Sequence, residues 1–224
     1  MIALLVMTDG RDHIEDTITS AALHLLGPIS EKVIHDDSGD PDFAAHLHER
    51  YWPFWRIVST PGRSGFGGAI RSAWADLRAN SEAPFVFHLE DDFLFNRMVD
   101  LTDLIGILER HPDLVNLALR RQPWNDHERA AGGIVEQHPD AYTERHDGIA
   151  AAPWLEHRLF FTTNPGLYRR RLIMDNDWPD GTQSEGRFSH YLLGDDRTRF
   201  GYYGARYSGE AVEHVGHTRN GTGY

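Results

Sequence analysis

The sequence predicts an α/β domain with a mostly parallel central sheet flanked by helices, and three observations carry that prediction. Apolar runs of strand length alternate with segments of helical spacing from residue 2 to residue 119. Each run ends in a polar or glycine-rich turn, the punctuation expected of β-α-β units. With 224 residues, 40% of them hydrophobic, the chain suits one α/β domain with a substantial core.

Residues 2–7 form the first apolar strand, which ends in Thr8-Asp9-Gly10. Residues 12–26 then place Ile14, Ile18, Ala21, Ala22 and Leu25 at helical spacing, and Gly27-Pro28 stops that helix. A second strand is predicted at 32–35 with the turn cluster 36–40 at its carboxyl end. The aromatic segment 51–55 precedes a third strand at 56–59. A glycine-rich loop, 62–68, opens a helix reaching Ala79. Phe85 to Leu89 reads as a fourth buried strand running straight into Glu90-Asp91-Asp92, followed by a helix over 98–110 and a fifth strand at 114–119. The rhythm then breaks. Residues 122–153 are polar and rich in Gly, Pro and His, too long for a simple connection, and are expected to be a functional or mobile loop. Regular structure is predicted to resume at 159–163, with a helix over 166–174, a turn at 178–181, a helix over 185–193 and a last stretch ending at Val212-Glu213-His214.

Composition excludes several functions. A net charge of −12 and a single lysine, Lys32, give no electrostatic support for nucleic-acid binding. No apolar run approaches the roughly 20 residues needed to cross a bilayer. The apolar start lacks a basic leader and reads as a buried strand rather than a signal peptide. The absence of cysteine removes thiolate sites and suits a reducing compartment, so a cytoplasmic protein is expected. Any metal must therefore sit on carboxylates and imidazoles.

In open α/β sheets, ligands bind beyond the carboxyl ends of the strands, where loops meet helix N-termini. Here those ends carry Thr8, Asp9 and Arg11, then Asp36 and Asp37, then the glycine loop with Arg63, then Glu90-Asp91-Asp92. The same residue types also make ordinary turns and helix caps. Three adjacent carboxylates after an apolar strand repel one another unless a cation or arginines offset them, and an extended backbone would point Glu90 and Asp92 to one side. The glycine loop lacks the following Lys-Ser or Lys-Thr of a P-loop and the first-strand position of a dinucleotide fingerprint.

Together, the Asp36-Asp37-Ser38-Gly39 turn, the block Arg63-Ser64-Gly65-Phe66-Gly67-Gly68-Ala69-Ile70-Arg71 and Glu90-Asp91-Asp92 resemble the GT-A glycosyltransferases, particularly the family-2-like group. The compact organisation is also similar in style to small bacteriophage glycosyltransferases, whose place would be the host cytoplasm. The resemblance implies that Asp36 or Asp37 contacts the nucleobase beside Thr8, Asp9 and Arg11. It also implies that Gly65, Gly67 and Ala69 border the nucleotide, with Arg63 and Arg71 standing where the family pattern has asparagines. Glu90-Asp91-Asp92 is similar to the Asp-x-Asp motif that holds Mn²⁺ or Mg²⁺, with Asp92 the direct ligand, Glu90 beside it and Asp91 toward the nucleotide. His214, with His217 second, resembles a late metal histidine. Glu185 takes the place of the acceptor-side acid, although the usual second acid is Gly186 here.

The implied protein is a single GT-A domain with a nucleotide-sugar and metal half at about 1–120 and an acceptor half at about 121–224. It would move a sugar from a UDP-sugar, or a GDP-sugar, to a glycan, protein or small-molecule acceptor, with Glu185 as general base. The acceptor site is expected from 122–153 and 178–185. Two alternatives stay open: a sugar nucleotidyltransferase, and a non-catalytic nucleotide- or carbohydrate-binding module.

Overall fold

The computed structural model describes residues 1–216. His217, the second candidate metal histidine, lies outside the described residues.

Strand β1 (Ile2–Thr8) is buried along its whole length, which only a central strand covered on both faces allows. Its side chains divide by parity. Ile2, Leu4 and Val6 join one apolar cluster with helix α1 (Ile14–His24), while Ala3, Leu5 and Met7 join another on the opposite face. After the two-residue β2 (Leu25–Leu26) come β3 (Ile29–Asp36), α2 (Pro41–Tyr51) and β4 (Arg56–Ser59). Helix α2 is absent from the sequence reading, yet its start is well marked. Pro41 stands in its first turn, and the Asp40 carboxylate accepts the Asp42 and Phe43 N–H groups.

Helix α3 (Gly65–Asn80) follows the glycine loop and packs Ala69, Ile70, Ala73, Trp74 and Leu77 onto the odd face of β1. Next come β5 (Phe85–Glu90), the short β6 (Phe93–Phe95) and β7 (Val99–Asp100), and α4 (Leu101–Arg110), capped by Asp100. Strand β8 (Leu114–Ala118) closes the first half.

The segment 122–153, expected as a loop, carries ordered structure: α5 (Asp126–Ala131), α6 (Ile134–Gln137), a 3₁₀ turn at Pro139–Ala141 and β9 (Thr143–Arg145). Its polar residues act as caps and ion pairs, Asn125 accepting the Glu128 N–H and Arg121 pairing with Glu128. The next strand is β10 (Trp154–His157), not 159–163.

The helix expected over 166–174 divides into β11 (Gly166–Arg169) and α7 (Arg170–Asp175). Pairing decides this. Leu167 stands opposite both Phe87 and Leu117, and a Cβ at Gly166 would lie 2.7 Å from the Leu117 carbonyl oxygen. Helix α8 (Ser184–Leu192), β12 (Arg199–Tyr203) and β13 (Val212–His214) complete the described chain.

Nine strands form one sheet in the order β4-β3-β1-β5-β11-β8-β12-β10-β9. Seven of the nine strands run in one direction, with β4-β3-β1-β5 a continuous parallel block as predicted, while β11 and β10 run against them and pair antiparallel on both sides. Because β11 comes from the second half of the chain and sits between β5 and β8, one sheet runs through both halves. Among the described residues no helix is long and apolar enough to cross a membrane.

Candidate functional site

A cavity of about 720 Å³ opens at the carboxyl ends of β1 and β5, between the glycine loop that starts α3 and the turn that starts α8. Thr8, Asp9 and Arg11 enter it from the end of β1, and Glu90 and Asp91 from the end of β5. Asp37, Arg63, Gly65, Gly67 and Arg71 form a second wall, and Glu185 faces them from α8. The strand ends singled out in the sequence therefore do converge. Asp36 does not line the cavity: it is buried, and its Oδ1 accepts the Ser38 N–H at 2.8 Å. Of the expected acceptor region, 181–185 contributes to the wall and 122–153 does not.

The glycine loop is held by specific bonds. Asp37 Oδ2 accepts the Ser64 N–H at 2.9 Å, and its Oδ1 accepts the Ser64 hydroxyl at 2.5 Å and the Thr60 hydroxyl at 3.1 Å. Gly65 adopts φ +70°, open to glycine and strained for other residues. A Cβ on Gly67 would lie 3.1 Å from Ser184 Oγ, so a glycine lets α3 approach the start of α8 closely. Arg63 donates to the Asp9 carbonyl at 2.6 Å, and Arg71 donates to the Pro179 carbonyl and pairs with Asp180 at 2.9 Å. These two arginines link loops across the cavity.

The acidic triplet separates. Residues 91 and 92 form a turn, which interrupts strand alternation and sends Asp92 away from the cavity wall while Glu90 and Asp91 remain in it. Asp91 Oδ2 accepts the Thr8 hydroxyl at 2.5 Å, and burial pushes this carboxyl up to about 6 despite that bond and the nearby Arg11. Glu90 is raised by burial, but His88, His214 and Arg11 outweigh burial and hold it below the usual carboxylate range. Asp92 is 1% exposed, pairs through Oδ2 with Arg11, and meets His214 Nε2 at 3.1 Å.

Among the described residues no three His, Asp or Glu side chains form a ready metal cage. A Mg²⁺-type ion, however, takes one or two protein ligands and completes its shell with substrate phosphates and water. Asp92 and His214, which meet at 3.1 Å behind the cavity wall, are the two described side chains that would supply those ligands. Asp92 Oδ1 is buried without a hydrogen-bond partner, and a Cβ at Gly216 would overlap Asp92 Oδ2, so a bare backbone is required there.

Glu185 stands in the first turn of α8. Its Oε1 accepts both the N–H (2.6 Å) and the hydroxyl (2.9 Å) of Thr163. Burial raises its pKa over the opposing effect of those bonds, and the charge of Glu90 adds to the rise. A carboxylate held above its usual range is a stronger proton acceptor than an ordinary one. Sequence reasoning missed Thr163, Ser64 and His88. Only His88 had a signal, a polar residue inside an apolar strand and two positions before Glu90.

Solved structures with this architecture exist. S. aureus TarS 1–349 superposes with a TM-score of 0.63 at 17% identity, covering 96% of this chain and 60% of that one. The same fragment in complex with UDP gives 0.62 at 18% identity, over 95% and 59% of the two chains. In complex with UDP-GlcNAc it gives 0.59 at 20% identity, over 94% and 60%. The chain has the GT-A fold. It spans about three-fifths of the TarS fragment, and at these identities the likeness concerns the fold alone. No protein-family model matches the chain, and no curated protein matches it in sequence.

Proposed function

We propose that this chain is a glycosyltransferase that moves a sugar from a UDP-sugar to an acceptor hydroxyl. The observation that carries the reading is the cavity itself, which brings the acidic end of β5, the arginine-bearing glycine loop and the half-buried Glu185 together at the carboxyl ends of a GT-A sheet. The TarS complexes with UDP and UDP-GlcNAc support a UDP-sugar as the donor.

In this reading the uridine lies by Thr8, Asp9 and Asp37, and the diphosphate lies against Arg11, Arg63 and the N-terminus of α3. The α3 terminus offers free backbone N–H groups and the positive end of the helix dipole. Glu185 takes the proton from the acceptor hydroxyl as its oxygen bonds to the anomeric carbon and the bond from that carbon to the diphosphate breaks. Fixed donors that meet the charge on the departing diphosphate, together with positioning of the acceptor, lower the barrier. Mn²⁺ or Mg²⁺, bound by Asp92 and His214, would supply Lewis-acid stabilisation of that diphosphate. The nucleotidyltransferase alternative needs a basic loop near the start of the chain, and residues 8–13 offer one arginine there, Arg11.

The test is a thermal-shift titration with UDP, GDP and UDP-sugars, with and without Mn²⁺, followed by donor hydrolysis. A ligand binding the native state at 100 times its Kd raises stability by about 2.7 kcal/mol. The reading expects stabilisation by UDP, a larger one with Mn²⁺, and loss of the Mn²⁺ increment in Asp92→Asn. Stabilisation by nucleotide without any donor hydrolysis would favour the binding-module alternative, and no stabilisation would refute a nucleotide site.

A further inference from the structure

We infer that Gln122 is a positioning residue that sets the His214 imidazole through its backbone, with Trp124 closing the ring's free face; this rests on the reading of His214 as a metal ligand. Strand β13 pairs with β6 so that His214 stands opposite Phe93. The Val215 N–H bonds to the Asp92 carbonyl at 2.8 Å and the Asn96 N–H to the Ala211 carbonyl at 2.9 Å, so the pairs on either side of His214 and Phe93 face each other in the ladder. His214 and Phe93 therefore form a non-hydrogen-bonded pair, the kind whose side chains approach closely. Their rings stack at 4.6 Å and 20°.

The His214 N–H and C=O consequently point away from β6, toward the chain leaving β8. That chain pairs with β13 only at Arg121 and Val212. Beyond it stands Pro123, which has no N–H to continue a ladder. The Gln122 side chain supplies the missing rung. Its Nε2 donates to the His214 carbonyl at 2.8 Å, and its Oε1 accepts the His214 N–H at 2.8 Å. A primary amide is the side-chain group that offers one donor and one acceptor in this peptide-like arrangement.

Trp124 covers the remaining face, its ring 4.1 Å from that of His214. Its backbone is anchored in turn by Glu128, which accepts the Trp124 N–H at 2.8 Å and pairs with Arg121. Held between Phe93 and Trp124, the imidazole directs Nε2 at Asp92 Oδ2. Such outer partners orient metal-binding histidines and typically change metal affinity about 10–100-fold when removed. The polar segment starting at residue 122, expected to meet the acceptor, thus acts on the donor side of the site.

The test compares wild type with Gln122→Leu, Gln122→Glu and Trp124→Leu. The first readout uses no metal: the His214 ring-proton resonances, assigned by their absence in His214→Gln, are expected upfield because of the two flanking aromatic rings. Gln122→Leu should move them toward free histidine, and Gln122→Glu, which keeps the acceptor for the His214 N–H, should move them less. The second readout is Mn²⁺ affinity in the presence of UDP, expected to fall about 10–100-fold in Gln122→Leu while metal-free UDP affinity is unchanged. Wild-type ring shifts in a folded Gln122→Leu, or in Gln122→Glu and Trp124→Leu if that variant does not fold, would overturn the inference. If Mn²⁺ has no effect on wild-type UDP affinity, the metal reading fails on its own, and the ring shifts still decide whether Gln122 positions His214.

Discussion

The carboxylate of Asp37 is taken up by Ser64, accepting the backbone N–H at 2.9 Å through one oxygen and the hydroxyl at 2.5 Å through the other. The end of β3 is thereby stapled to the entrance of α3, across the cavity wall. Asp37→Ala should cost about 1.5–3 kcal/mol, the range for hydrogen bonds to a charged group, and should weaken UDP binding by loosening the loop. Asp37→Asn, which keeps one acceptor oxygen, should fall between. Urea unfolding and UDP calorimetry on both variants check this. Lost affinity at unchanged stability would mean that Asp37 touches the nucleotide instead of holding the loop.

Glu185→Gln retains an oxygen to accept from Thr163, so α8 should keep its place while the proton acceptor is lost. A fall in kcat of about 10²–10⁴ is expected, with donor affinity nearly unchanged. Single-turnover transfer assays beside UDP-sugar calorimetry measure both. Transfer at the wild-type rate would leave Glu185 with a structural role only.

Arg71 and Asp180 join α3 to the turn that roofs the cavity, but Asp180 is largely exposed. An exposed pair contributes about 0–1 kcal/mol, so Asp180→Asn should scarcely change the melting temperature. Its effect should be local: faster hydrogen exchange over 179–186 and faster UDP dissociation. Exchange at the wild-type rate in that turn would remove the latch role.

His157 is buried against Tyr142 and Tyr202, and its Nδ1 accepts the Leu159 N–H, so the folded state holds a neutral ring. Burial lowers its pKa from 6.5 to about 4. Below 6.5 the unfolded chain binds this proton and the folded one does not, so stability falls with pH from about 6.5 down to about 4. At about 1.4 kcal/mol per pH unit the loss is about 3 kcal/mol. His157→Phe should flatten that part of the curve, as judged by denaturant midpoints at pH 7.5 and 4.5. An identical slope in the variant would assign the acid sensitivity to other groups.

Much of the fold is written locally. Strands β1, β4 and β5 and helices α3 and α8 lie close to where apolar runs, glycines and turn residues place them, because those cues act within a few residues. Helix α2 carries local marks too, in Asp40, Pro41 and the spacing of Phe43, Leu47 and Tyr51. The convergence of Thr8, Asp37, Glu90 and Asp91 was legible as well, since a parallel sheet delivers its carboxyl ends to one edge.

What the sequence by itself determined, then, is the α/β order, the polar strand ends and the acids available for chemistry. The tertiary structure decided the rest. It made residues 166–169 a strand between β5 and β8 where local spacing suggested a helix, because pairing and burial on two sides outweigh local propensity. It also chose the partners: Ser64 for Asp37, Thr163 for Glu185, His214 for Asp92 and Gln122 for His214. Those pairs are separated by 22 to 122 positions along the chain. A buried polar group must find a partner, and which partner is within reach is set by how the layers pack, which no local pattern of residues encodes.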